Sequence, residues 1–368
     1  MADPRVTRLA HVLVDYSTNV QPGQKVGISG PALAAPLIEA VYERVVERGA
    51  HPDLFLSLPG LQEIYLSKAN DAQLEYISPA LKLFEEYYDA QLSFISQANT
   101  HSMSGVDPAR MTKRRAATAP LTKIYMDRSA SGALKWVLAL YPTHAHAQDA
   151  DMSLRDYEDF VYGACHVNGG DDPVAHWRRV QAEQDRLVEW LKPHDQVVVR
   201  GPNVDLMLSI KDRTFVNADG TKNMPDGEIF TGPVEDSVNG WVRFSYPAIY
   251  QGREVEGVEI RFENGKAVKA AAKKNEEFLN SALDTDAGAR YLGEFAIGTN
   301  FGITRFTRSI LFDEKIGGTI HMAFGMGYPE TGSRNESGLH WDMICDMRHD
   351  SEIRVDGELL YQNGKFQV

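Results

Sequence analysis

The chain has 368 residues, 43% of them hydrophobic and 24% charged, an ordinary globular composition with enough length to bury a core without disulfides or a structural metal. Its formal net charge of -13 lacks the basic footprint that phosphate backbones require, which excludes nucleic acid as a partner. No apolar run approaches the roughly 18–20 residues of a membrane span, so no membrane partner is expected.

In chain order, Val6, Leu9, Leu13 and Tyr16 recur at helical spacing and predict an amphipathic helix. Arg5, Arg8, His11 and Asp15 interrupt any signal-like apolar core there, so a cytoplasmic protein is expected. "KVGISG" (Lys25 to Gly30) reads as a short strand. Leu37, Val41 and Val45 then mark a helix that stops at Gly49, and "DLFLSL" (Asp53 to Leu58) reads as a second strand. Strand, helix and strand in this order predict a parallel crossover unit. "GISGP" has neither the spacing of a dinucleotide fingerprint nor the Lys-Ser/Thr of a P-loop, so no nucleotide cofactor is expected. "TKRR" (Thr112 to Arg115) reads as a solvated loop. Ser153 and Asp156 form a capping pair for "LRDYEDFVYGACHV", and Pro173 opens a long helix that stops near Pro193.

Beyond Asp195 the texture changes to short strand-like runs. Asn264-Gly265 and Asn363-Gly364 each sit between two such runs, where type I′ hairpin turns need positive φ. A helix is expected around Lys273 to Leu283, with one more near Asp286 to Leu292. The expected fold class is therefore an α/β N-terminal domain, residues 1–194, followed by a mainly antiparallel β (α+β) C-terminal domain, residues 195–368. Cys165 and Cys345 form no disulfide framework and no thiolate zinc site. Both lie in apolar surroundings and read as buried free thiols of a reducing compartment.

Polar residues that interrupt apolar runs cluster in the second half. Glu228 follows a Pro-Asp-Gly turn, Glu294 lies among small and apolar residues, His321 sits in an apolar strand and Tyr328 follows a glycine-rich bend. Taken singly, Glu228 reads equally as a cap or surface charge. His321 reads as a hydrogen-bonded core residue and Tyr328 as a packed ring. His340 and Asp342 are different, because strand residues i and i+2 share a face. Both point one way while Leu339, Trp341 and Met343 point the other. A buried carboxylate without a partner is costly, and a divalent cation satisfies an imidazole and a carboxylate together.

"GEIFTGPVED", "LGEFAIGTN", "HMAFGMGYPETG" and "NESGLHWDMICDMR", with "PGQKVGISGP" and "MSLRDYEDFVYGAC" before them, resemble the M29 family of metallo-aminopeptidases in order over most of the chain. The resemblance implies two divalent metal ions (Zn, Co or Mn) held by Glu228, Glu294, His321, His340 and Asp342, with Tyr328 as the active-site tyrosine. It implies removal of the N-terminal residue from short peptides by a metal-bridged hydroxide. Glu294 would be the catalytic proton shuttle as well as a ligand, and Tyr328 would donate to the oxyanion. Three carboxylates against two divalent ions leave such a site net positive, which favours hydroxide. The resemblance also implies a homodimer. Two other functions remain open: another dinuclear metallohydrolase such as a phosphoesterase, or a non-catalytic peptide-binding relative.

Overall fold

A computed structural model describes residues 3–368. The chain divides into two compact units, residues 1–177 with 220–225, and residues 178–219 with 226–368. The division falls inside the helix Pro173–Leu191, upstream of the boundary after residue 194 read from the sequence. Leu187 and Leu191 from the end of that helix belong to the core of the second unit.

The first unit is built on a parallel sheet. Its strands are β1 (Lys25–Pro31), β2 (His51–Ser57), β3 (Ala90–Ile95) and β4 (Lys135–Leu140), in the order β2-β1-β3-β4, and the short segment Asn223–Met224 pairs beyond β4. The predicted crossover is present: Lys25 pairs with His51 in parallel, and helix Ala35–Glu47 buries Leu37, Val41 and Val45. "AQLSFI" and "KWVLAL" are strands that no sequence signal marks. Both are six-residue, largely apolar segments, and periodicity alone does not separate such a strand from a buried helix.

"TKRR" is not a loop. It lies in helix Pro108–Ala130, which Asp107 caps through Ala109 N–H at 2.9 Å. Its charges have internal partners: Arg114 donates to the Leu74 and Tyr76 carbonyls at 3.1 and 2.7 Å, and Lys113 lies 3.0 Å from both Asp71 and Glu75. Cys165 and Cys345 are free and buried, as expected. Burial pushes the Cys345 thiol up to about 12, well away from a reactive thiolate.

Besides a two-stranded sheet, Ala248–Tyr250 with Arg253–Val255, the second unit holds two large antiparallel sheets. One has eight strands, running from Lys266–Ala271 at one edge to Lys365–Phe366 at the other. The other comprises β5 (Val216–Ala218), β6 (Glu228–Thr231), β7 (Leu292–Gly298), β8 (Thr319–Gly325) and β9 (His340–Asp346), in the order β9-β8-β7-β6-β5. One face of the five-stranded sheet supplies Phe295, Ile297, Ile320, Met322, Phe324, Trp341 and Met343 to a single core. The eight-stranded sheet adds Val199, Leu206, Val242, Ile260 and Phe262. Phe262 stacks on Phe324 with ring centroids 5.7 Å apart. Each such large side chain contributes roughly 2–3 kcal/mol of burial, so this face holds the sheet rigidly behind its other face.

Helix Glu276–Leu283 forms as expected, and Asn264 and Asn363 take positive φ in their turns. The second helix expected at Asp286 to Leu292 does not form. The Asp286 carboxylate instead accepts from Gly288 N–H at 3.0 Å and Gly338 N–H at 2.7 Å, tying a turn to the loop before β9.

Candidate metal centre

The polar face of the five-stranded sheet follows from register. Ala323 on β8 pairs with Glu294 on β7 and with Asp342 on β9, so the two carboxylates flank one alanine in a single row. Neighbouring strands lie about 4.8 Å apart, which leaves roughly 10 Å for the two side chains to lean across. His321, two residues before Ala323, shares its face. Glu228 enters from β6, opposite Gly298. The residues between these groups are small, Ala296, Gly298 and Ala323, so the face is open where the polar groups converge.

A bulge at Gly293 aims Glu294. The register shifts between Leu292 and Glu294, and a Cβ on Gly293 would lie 2.3 Å from the Met326 carbonyl oxygen. Glycine is required there by the close backbone approach. Glu228, Glu294 and His321 are 6%, 4% and 1% exposed, which is inside the protein for three ionisable side chains.

The Glu294 carboxylate faces both histidines. Its Oε1 is 3.1 Å from His321 Nε2 and its Oε2 is 3.8 Å from His340 Nε2. Glu228 Oε2 is 3.3 Å from His321 Nε2, and Asp342 Oδ1 is 3.7 Å from His340 Nε2. Both imidazoles are oriented by backbone carbonyls: His321 Nδ1 donates to Glu314 O and His340 Nδ1 to Met326 O, each at 2.9 Å. That arrangement turns Nε2 of each ring toward the carboxylates, as metal-bound histidines require. Tyr328 packs its ring 5.3 Å from that of His340 and 5.5 Å from that of Phe230. All six residues singled out in the sequence therefore lie in this unit, on or beside one face.

Two residues were missed. Glu314, just past the short helix Ile310–Asp313, offers a carboxylate oxygen within 4.8 Å of the donor atoms of His321 and Asp342. Lys315 is completely buried. Its ammonium is 3.7 Å from Glu228 Oε1 and pairs with the Glu314 carboxylate. "DEK" reads as an exposed charge run, and no periodicity marks it. Only a lysine in an otherwise apolar neighbourhood could have been a signal, and that neighbourhood is formed by distant strands.

The electrostatics show what the cluster lacks. Burial, reinforced by the neighbouring carboxylates, raises Glu228 well above the usual carboxylate range and lifts Asp342 to about 6. Burial also disfavours the His321 imidazolium, but Glu228 and Glu294 outweigh it and push that group up to about 10. Burial raises Tyr328, with Glu294 adding to it, so its phenol stays a neutral donor. Glu228 Oε2 is buried and makes no hydrogen bond. This donor set fits divalent cations: oriented imidazole nitrogens and buried carboxylate oxygens form three groups, Glu228/Glu294/His321, Glu294/His340/Asp342 and Glu314/His321/Asp342, that could each hold an ion.

A pH dependence follows. Without metal, His321 holds a proton below about pH 10, and a cation entering beside it must displace that proton. Metal affinity is therefore expected to rise with pH from about 6 to 9. Calorimetric titration at pH 7 in buffers of different ionisation enthalpy should show net proton release; uptake without release would contradict the arrangement.

Comparison with known proteins agrees. The family described as thermophilic metalloprotease (M29) matches residues 2–366. "Aminopeptidase 2" of Geobacillus stearothermophilus is 29% identical, over 96% of this chain and 91% of that protein. "Aminopeptidase T" of Thermus thermophilus is 27% identical, over 97% and 95%. The solved structure of wild-type AmpT from Thermus thermophilus superposes with a TM-score of 0.86 at 24% identity, covering 99% of both chains. A 2,5-dihydroxypyridine dioxygenase from Pseudomonas putida KT2440 superposes with a TM-score of 0.58 at 14% identity, over 98% of this chain and 96% of that one. These two likenesses show the fold, which hosts more than one named chemistry.

Proposed function

Because the chain belongs to the M29 family of thermophilic metalloproteases, we propose that it is a metal-dependent aminopeptidase using two divalent ions, Zn, Co or Mn, to release the first residue of short peptides. The observation that carries this reading is the sharing of Glu294 between two donor groups, Glu228/Glu294/His321 and Glu294/His340/Asp342. Glu294 Oε1 faces His321 of the first group and Oε2 faces His340 of the second, so Glu294 would be a ligand shared by both ions. Bound there, the ions would supply an acidified water and a Lewis acid for the scissile carbonyl.

The chain's own residues supply the rest. Glu294 would hold both ions through its two oxygens. Glu314, which forms a third candidate donor group with His321 and Asp342 and pairs with Lys315, would take the proton from the attacking water and return it to the leaving amine. In this assignment the shuttle role expected of Glu294 passes to Glu314, because Glu294 would serve as the shared ligand. Tyr328, held neutral, donates its phenolic hydrogen to the developing oxyanion. Tyr328→Phe is expected to lower kcat about 10²-fold with a smaller change in KM. A raised KM at unchanged kcat would make Tyr328 a binding residue instead.

The substrate class is tested by hydrolysis after loading with Co2+, Zn2+ or Mn2+. Leucine anilide should be cleaved, whereas N-acetyl-leucine anilide and phenyl phosphate should not. Cleavage of the phosphate alone would select a phosphoesterase. Metal uptake without any turnover would select a peptide-binding protein. Phosphoesterase chemistry is disfavoured by the surroundings, because Arg290 is engaged by Asp284, Arg348 by Asp346, and Lys315 by Glu228 and Glu314.

Two further properties belong to this reading. The protein acts as a homodimer, which light scattering tests. It works in the cytoplasm, as two free buried thiols suit, and fractionation tests that. Among the described residues no helix is long and apolar enough to cross a membrane.

A further inference from the structure

Lys315 is the unexpected member of the cluster. Its side chain is 0% exposed, although a lysine is almost never fully buried unless paired. Its ammonium contacts the carboxylates of Glu228 and Glu314, and the buried Asp226 carboxylate adds to the negative charge around it. By contrast, the ion pairs of His340 run to Glu294 and Asp342.

The two donor groups therefore differ in charge environment. The Glu228/Glu294/His321 group shares a carboxylate with a fixed cation. The Glu294/His340/Asp342 group does not. A positive charge on Glu228 Oε1 lowers the negative potential that the same carboxylate offers an incoming cation through Oε2. It engages Oε1, so that Oε2, which makes no hydrogen bond and lies 3.3 Å from His321 Nε2, is the oxygen left for a metal.

We propose that Lys315 is a resident cation that makes the two metal positions unequal, so that the ion beside Glu228 is the more weakly held and loads second. In the metal-free protein the same ammonium stands in for that ion, partly neutralising Glu228 and Glu314. The inference rests on the metal-centre reading above and adds to it an order of loading. Lys315 acts through Glu228 and is a positioning residue, not a catalytic one.

The test is Zn2+ titration of the stripped full-length protein by calorimetry, comparing wild type, Lys315→Met and Lys315→Arg. Wild type should bind two ions with affinities at least about tenfold apart. Lys315→Met should tighten the weaker step about tenfold or more and leave the stronger step within about threefold. The stripped Met variant should melt lower than stripped wild type, and Zn2+ should restore it. Lys315→Arg, which keeps the charge, should retain two unequal steps. Should the Met variant unfold when stripped, release of the weaker ion from loaded protein into a chromogenic chelator reads the same quantity. Release slowed about tenfold supports the inference. Unchanged or uniformly weakened binding in the Met variant, unchanged release, or an Arg variant that behaves like Met overturns it while leaving the metal centre intact. Absence of any Zn2+ uptake by wild type overturns the metal centre and this inference together.

Discussion

Glu294→Gln is expected to lower kcat by about 10³-fold or more while the protein stays folded. The amide keeps the shape of the side chain but removes the charge that faces both histidines, at 3.1 and 3.8 Å. One oxygen can still coordinate weakly, whereas two ions can no longer share a charged ligand. Metal catalysis supplies several kcal/mol of transition-state charge stabilisation, and losing about 4 kcal/mol corresponds to three orders of magnitude in rate. The stripped variant is expected to stay folded, because the substitution removes repulsion from Glu228, Glu314 and Asp342 together with the attraction to the protonated His321. Three readouts check this: turnover of leucine anilide, bound metal after dialysis, and melting temperature in chelator. Near wild-type turnover with two ions retained would remove Glu294 from its role.

Ala323→Val is expected to weaken metal binding about 100-fold or more without touching a ligand. Ala323 is fully buried in the row between Glu294 and Asp342, and its methyl group shares their face. Two added methyl groups would occupy the space across which the carboxylates converge. Overpacking of this kind costs typically 1–3 kcal/mol of stability. Misorienting a ligand's support costs 10–100-fold in metal affinity, and displacing two ligands at once should exceed that. Met322→Leu is the matching control, since Met322 points into the apolar core behind the sheet. It should cost under about 1.5 kcal/mol and leave metal uptake unchanged. Equal uptake by the Val variant would show that the carboxylates do not meet above Ala323.

Much of this protein was legible in its sequence because the relevant rules are local. Alternation along "HWD" places His340 and Asp342 on one face and Trp341 on the other, and β9 bears that out. The helix, strand and Asn-Gly turn signals named real elements, since capping and positive φ are decided within a few residues. Glu228, Glu294, His321 and Tyr328 were assigned through resemblance of long motifs, not through spacing.

Tertiary structure decided what depends on register between distant strands. Nothing in spacing says that Ala323 separates Glu294 from Asp342, or that Gly293 bulges to aim Glu294; those facts arise from pairing between segments that are far apart in the chain. Short apolar runs hid β3 and β4, and a charged run hid part of a helix, because burial and partners come from elsewhere in the fold. The same reason concealed Glu314 and Lys315. A carboxylate and an ammonium in a turn look solvated in the sequence, and only the strands packed around them make one a member of the cluster and the other a buried cation. The sequence by itself determined which side chains could hold metal. The fold determined that they meet, which oxygen of Glu294 faces which histidine, and that a lysine shares their site.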